Sequence, residues 1–191
     1  MNEKLLNDAK LYAEKLFENN SDGHDYMHTL RVYKNAMIIN EKEKGNEEIV
    51  ILASLLHDVD DYKLFNTKNN ENARKFLVEH DIPEDEIEEI CKVINSVSFS
   101  KNKGKKPETL EGMIVQDADR LDAIGAIGIA RTFAYGGKHN RGLDSSIEHF
   151  HEKLLLLKDE MNTKTAMDIA ADRHEFMEEF LRRYNEEVSI D

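Results

Sequence analysis

At 191 residues, with 26 basic and 39 acidic side chains, the chain carries a net charge of −13, and its pI is about 5.1. That balance excludes broad electrostatic capture of nucleic-acid phosphates or anionic lipid as the expected function. A mean hydropathy of −0.64, with no apolar run near the ~18 residues that span a bilayer, excludes a transmembrane helix.

The length suits one buried core, so residues 1–191 are expected to form one domain. The first residues, Met1 to Leu5, lack the basic-then-apolar order of a secretory signal. The one cysteine, Cys91, allows neither an intramolecular disulfide nor a cysteine-based zinc cluster. The expected location is a reducing cytoplasm, and any metal must be held by histidine and carboxylate.

Only 9 glycines and 2 prolines interrupt the chain, which favours long helices over the many tight turns of an all-β fold. Leu5, Leu6, Ala9, Tyr12, Ala13, Leu16 and Phe17 mark the buried stripe of a first amphipathic helix. Further helices are predicted at 26–44, ended by Gly45-Asn46, then at 47–57 and 68–80. After Pro83, an acidic first turn opens a helix whose stripe is Ile87, Ile90, Cys91, Ile94 and Val97. The remaining predictions are 109–119, 123–132, 145–161 and 164–187. Ser145 with Glu148 fits a capping box for 145–161, with Ile147, Phe150, Leu154, Leu157 and Met161 behind it. Loops are predicted at 19–23, 100–107 and 135–144. No window alternates convincingly as a strand would, so the predicted fold class is all-α.

Histidine and aspartate carry the chemical information. His57-Asp58 ends the almost wholly apolar stretch from Ile49 to Leu56, so an imidazole and a carboxylate should sit close to the core. Unpartnered there, each would cost about 1–3 kcal/mol, and a cation is one partner that satisfies both. The dipeptide alone is weak evidence, since the chain holds His24-Asp25 as well and chance yields about one such pair. Its surroundings add weight. His28 opens the preceding helix, and Asp117, Asp119 and Asp122 follow another apolar stripe. Two imidazoles and two carboxylates from separate helices can converge on one divalent ion.

The order His28, His57-Asp58, then Asp119 in Ala118-Asp119-Arg120 resembles the H…HD…D signature of the HD-domain superfamily of metal-dependent phosphohydrolases. Within it, Gly23-His24-Asp25-Tyr26, the run from Leu56 to Lys63, and the run from Asp117 to Arg131 resemble a small bacterial branch that hydrolyses nucleotides. The resemblance implies that His28, His57, Asp58 and Asp119 ligate one metal, with Asp117 and Asp122 as competitors for the last place. Superfamily members with two metals carry two further histidines before the last aspartate. This chain has only His80 in that interval, which implies a single ion. Mn²⁺, Fe²⁺, Co²⁺, Ni²⁺ and Zn²⁺ all suit the donor set, with Mn²⁺ favoured for activity.

Asp61, one turn beyond Asp58, matches the position where some family members place a general base; Asp60 and the His24-Asp25 pair compete with it. Lys63, Arg120, Lys138 and Arg141 are the candidate phosphate-binding residues, the last two in a glycine-flanked loop with His139. Arg31 and Arg131 suit structural ion pairs. Phe133 and Tyr135 suit either the core or a nucleobase, and Gly125 and Gly128 suit close helix packing. The expected reaction takes (deoxy)nucleoside triphosphates to monophosphate and pyrophosphate. The alternatives are a nucleoside monophosphate phosphatase, a guanosine tetraphosphate hydrolase, or a regulatory module that binds nucleotide without turnover. The expected partner is a small-molecule nucleotide, with no nucleic acid and no membrane, and the apolar stripes leave room for a homodimer.

Overall fold

A computed structural model describes residues 2–18, 25–99, 101–102 and 104–189. Among them the fold is all-α, with no strand. The loop predicted at 19–23, together with His24, lies outside the described residues, as do Ser100 and Lys103 of the basic loop.

Side-chain caps set most helix starts. Helix α1 (Glu3–Phe17) begins where the Asn2 side chain accepts from the Lys4 amide, and it buries Ala9, Ala13 and Phe17. Helix α2 (Tyr26–Glu43) is capped by Asp25 and stops at Lys44, which turns left-handed at φ 66°. Helix α3 (Glu47–Leu56) starts on Asn46 and buries every residue from Ile49 to Leu56. Apolar all round, it can be stable only with neighbours on several sides, and burial of Leu52, Leu55 and Leu56 contributes about 1.5–3 kcal/mol each.

Those neighbours come from α1, α2, helix α5 (Glu84–Val97) and helix α6 (Leu110–Asp122), while helix α4 (Glu71–Glu79) packs on α5. Helix α2 packs most extensively against α6 and α3. The arrangement brings the start of α2, the end of α3 and the second half of α6 together, and these segments carry His28, His57-Asp58 and Asp119.

Several predicted boundaries are corrected. Helix α4 starts at Glu71 instead of 68, because Asn69 and Asn70 are both left-handed, at φ 53° and 56°. Helix α6 runs one turn past 119, to Asp122. Helix α7 (Gly125–Lys138) absorbs the first part of the predicted 135–144 loop, so Lys138 is helical. The helix predicted at 145–161 is two pieces: α8 (Leu143–Glu152), a break at Lys153, and a 3₁₀ helix (Leu154–Glu160). Helix α8 starts two residues early, at Leu143 after Gly142, so the Ser145–Glu148 box is not its cap. Its apolar stripe is nonetheless buried at Phe150, Leu154, Leu157 and Met161. Helix α9 (Lys164–Val188), capped by Thr163, closes the bundle against α7 and the 3₁₀ helix.

The corner between α6 and α7 needs glycine. A Cβ at Gly128 would lie 2.3 Å from the Ala123 carbonyl oxygen, and Gly125 has φ +72°. The chain can therefore fold straight back after Asp122, which delivers Arg131 to the same end of the bundle as the three carrying segments.

Candidate metal centre and its two cavities

His28 and His57 are both buried, and each has its ring nitrogens assigned by a neighbour. His57 Nδ1 lies 2.8 Å from the Ser54 carbonyl oxygen, which can only accept, so Nδ1 carries the proton and Nε2 keeps its lone pair. His28 Nδ1 lies 2.7 Å from Asp122 Oδ2. That carboxylate also accepts from Arg31 Nε at 2.7 Å and from Arg131 Nη1 at 2.6 Å. Held by two guanidiniums it stays ionised, its pKa pulled below the usual range by His28 and Arg31 against the opposing effect of burial. His28 Nδ1–H therefore donates to it, which leaves Nε2 of His28 as an acceptor.

The two Nε2 atoms face each other across 3.3 Å. Asp58 Oδ2 lies 3.4 Å from His28 Nε2 and 3.3 Å from His57 Nε2, and Asp119 Oδ1 lies 3.4 Å from His28 Nε2. His28, His57 and Asp119 each offer a donor atom, all within 4.8 Å of one another. Donors bound at about 2.0–2.2 Å around a tetrahedral ion are about 3.3–3.6 Å apart, so the spacing fits a divalent cation. Two facing lone pairs flanked by two carboxylates call for positive charge between them.

The pKa values point the same way. Burial pushes both imidazoles toward neutrality. For His28, hydrogen bonds donated to Asp119, Asp122 and Asp58 outweigh it and raise the pKa well above the histidine range. Asp58 does the same, more mildly, for His57. Burial would raise Asp119, but His28 and His57 hold it below the usual carboxylate value. A cation bound there would compete with protons for the two Nε2 lone pairs.

The other aspartates separate by their partners. Asp117 is fully buried and accepts from the Asn162 amide, the Thr163 amide and Thr163 Oγ1. It thus anchors the start of α9, away from the centre. Burial lifts its pKa, and those hydrogen bonds pull against that rise. Asp60 caps α4, accepting from the Asn72 and Ala73 amides at 3.0 Å each, so both its oxygens are engaged. Asp25 caps α2 through the His28 amide at 2.7 Å. Asp61, whose Oδ1 accepts from the Lys63 amide at 2.8 Å, lines the cavity over the centre.

Two adjoining cavities lie at this end of the bundle, and the first contains the centre. The first, about 230 Å³, holds His28, His57, Asp58 and Asp119, and its wall continues through Ile94, Asn95, Phe99 and Leu157. The second, about 460 Å³, is lined by Arg131, Lys138, Arg141, His149 and Lys153, with Asp25 as its one carboxylate among the described residues. Lys63, Ala123, Arg131 and Lys153 line both.

Of the expected phosphate contacts, Lys63, Lys138 and Arg141 thus share the second cavity. Arg120 lines the first, but its guanidinium donates to the Glu160 carbonyl and lies 3.3 Å from the Glu160 carboxylate, an intramolecular partner that competes with any phosphate. Tyr135 lines the second cavity, whereas Phe133 packs against Phe150 and Phe180. Sequence reasoning passed over Lys153 and Phe99. No spacing marks either, because the break in the helix that sets Lys153 inward has no proline or glycine beside it.

The family model for the HD domain matches residues 25–124. The uncharacterized protein YpgQ of Bacillus subtilis (strain 168) is 39% identical over 194 residues, covering 97% of this chain and 94% of that protein. The crystal structure of Bacillus subtilis YpgQ in complex with ADP aligns with a TM-score of 0.85 at 35% identity, over 98% of this chain and 96% of that one. That of a HD-superfamily hydrolase from Bacillus thuringiensis aligns with a TM-score of 0.83 at 38% identity, over 98% of each chain. With its paired histidines and carboxylates at the end of the bundle, the chain belongs to the HD-domain family of phosphohydrolases, whose members bind a divalent metal.

Proposed function

We propose that this enzyme hydrolyses (deoxy)nucleoside triphosphates to nucleoside monophosphate and pyrophosphate. The observation that carries the reading is that the four-residue centre lies in a cavity with Ile94, Phe99 and Leu157 in its wall, which adjoins through Lys63, Arg131 and Lys153 a second cavity lined by Lys138 and Arg141. A bond cut at the centre then has a nucleoside on one side and a phosphate tail on the other. The two cavities together fall within the ~300–1,000 Å³ usual for ligand sites. The ADP complex of YpgQ supports a nucleotide ligand.

In this reading His28, His57, Asp58 and Asp119 hold one divalent cation, Mn²⁺ being favoured for activity. Such an ion, when bound, withdraws charge from a phosphoryl oxygen and lowers the pKa of a water. Asp61 orients the attacking water and accepts its proton. The water oxygen bonds to the α-phosphorus and the bond from that phosphorus to the bridging oxygen breaks. The bridging oxygen leaves with pyrophosphate, and the proton passes from Asp61 to solvent. Lys63, Lys138 and Arg141 hold the tail oxygens. Asp122 keeps His28 in the tautomer that points Nε2 at the centre.

The test is a panel of nucleoside triphosphates, nucleoside monophosphates and guanosine tetraphosphate, given to protein stripped with chelator and reloaded with Mn²⁺ or Co²⁺. Pyrophosphate release from triphosphates is expected. Orthophosphate from monophosphates alone would replace the reading with a phosphatase, and preference for guanosine tetraphosphate would move the substrate but keep the cationic cavity in use. Thermal stabilisation by nucleotide without turnover would make the chain a binding module.

A further inference from the structure

Lys153 stands where the two cavities meet, at the break between α8 and the 3₁₀ helix, with φ −140° and ψ −57°. Its amide is tied back to the His149 carbonyl at 3.1 Å, which fixes the direction of the side chain's departure. Its ammonium lies 4.4 Å over the Phe99 ring and makes no ion pair among the described residues. Burial works against its charge, and Lys63 and Arg131 repel it, while Asp119 and Glu160 attract it, with a net lowering of its pKa. A half-buried cation crowded by two others is stabilised by an anion arriving among them.

The rest of the second cavity has the same character. Arg141 lies 5.7 Å from the Tyr135 ring centroid with no carboxylate partner among the described residues. The one carboxylate in the wall among the described residues, Asp25, is already committed to capping α2. In a chain of net charge −13, five cations line it, Lys63, Arg131, Lys138, Arg141 and Lys153, of which Arg131 is paired with Asp122. Lys63 and Lys153 line the cavity of the centre as well, so the cations run from one cavity into the other, an arrangement that suits the oxygens of a chain of phosphates.

We propose that the second cavity is a pyrophosphate subsite in which Lys153 binds the phosphate next to the scissile bond and Arg141 the terminal one. This rests on the reading of the site as a nucleoside triphosphate hydrolase. It adds that the two phosphates beyond the cut, more than the nucleobase, set affinity. It also makes inorganic pyrophosphate a ligand of the protein in its own right.

The experiment is calorimetric titration of the full chain, kept metal-free by chelator, with inorganic pyrophosphate and separately with a nucleoside monophosphate. Wild type, Lys153→Met, Lys153→Arg and Arg141→Ala are compared. Lys153→Met keeps the apolar stem over Phe99, and Arg141 is exposed, so Arg141→Ala leaves the core intact. Lys153→Met should weaken pyrophosphate about tenfold or more and Arg141→Ala several-fold, with Lys153→Arg restoring most of the loss and monophosphate binding changing less than about twofold. Pyrophosphate affinity unchanged in both charge-removing variants would overturn the subsite, as would equal weakening of both ligands. Turnover by the Mn²⁺-loaded enzyme separates the two readings. Triphosphate hydrolysis with unaltered KM in both variants sinks the subsite and spares the hydrolase. Lysine- and arginine-dependent pyrophosphate binding without any nucleotide turnover spares the subsite and sinks the substrate assignment.

Discussion

Asp122 Oδ2 accepts from His28 Nδ1 at 2.7 Å, and neither residue reaches the other without the long loop in sequence that α3, α4 and α5 fill between them. This contact decides which way the His28 lone pair points. It also explains why Asp122, a competitor for the last ligand position on spacing alone, stands behind the centre instead: Arg31 and Arg131 hold its carboxylate on the far side of the imidazole. Asp122→Asn should lower Mn²⁺ affinity about 10–100-fold, the usual cost of losing a carboxylate behind a ligating histidine. Titration of apo protein with Mn²⁺ measures it. Unchanged affinity would mean that His28 is oriented by its packing alone.

His57 and Asp61 should separate binding from chemistry. His57→Ala removes an Nε2 that lies 3.3 Å from both His28 Nε2 and Asp58 Oδ2, so metal content and activity should vanish together. The Asp61 carboxylate accepts from the Lys63 amide at 2.8 Å and lines the cavity over the centre. Asp61→Ala should retain a full equivalent of metal by elemental analysis while kcat falls about 10²–10⁴-fold. A fully active Asp61→Ala enzyme would remove the base assignment.

The difference between His57 and Lys153 shows what was legible in the sequence. His57 follows eight residues that are all buried, so its position near the core could be argued from the apolar run alone. The ends of apolar stripes pointed to the histidines and to a group of aspartates, whereas the choice of Asp119 over Asp117 and Asp122 came from the resemblance of Ala118-Asp119-Arg120 to the family motif. What spacing could not supply was the pairing of polar groups across distant segments. Asp117 and Asp119 are two residues apart on one helix and so point in different directions, one to Asn162 and Thr163 and the other to His28. Which of them met the histidines depended on where α9 docked. Asp60 capping α4 from a neighbouring loop, and Lys153 at a helix break, are likewise tertiary outcomes that leave no local periodicity.

Asp117 therefore offers a clean separation of stability from metal binding. Its carboxylate collects the Asn162 and Thr163 amides and the Thr163 hydroxyl where α9 begins. Asp117→Ala leaves those donors unsatisfied in a buried place and should destabilise the fold by about 2–4 kcal/mol, read from the urea midpoint. Mn²⁺ affinity of the folded fraction should stay within about threefold of wild type, since Asp119 and not Asp117 lies by His28. A loss of metal without loss of stability would place Asp117 among the ligands instead.

Alkaline stability should report on the contact between α1 and α4. The Tyr12 hydroxyl donates to the Asn72 carbonyl at 2.9 Å, and its ring packs 5.1 Å from Phe76. Burial, reinforced by the negative charges of Asp60 and Glu79, pushes its pKa up from 10.0 to about 12. The neutral phenol is thus the form the folded state prefers. The unfolded chain releases this proton near pH 10 while the folded chain keeps it to about 12. Between those values the unfolded state binds fewer protons, so stability falls as pH rises, and the loss levels off once the folded phenol ionises too. Tyr12→Phe lacks this ionisation. It should be less stable than wild type near pH 8, where the hydrogen bond to Asn72 is intact, and the gap should narrow or reverse between pH 10 and 12. Urea midpoints for the two proteins at pH 8, 10 and 11.5 measure the crossover, and parallel losses in both would show that Tyr12 keeps an ordinary pKa.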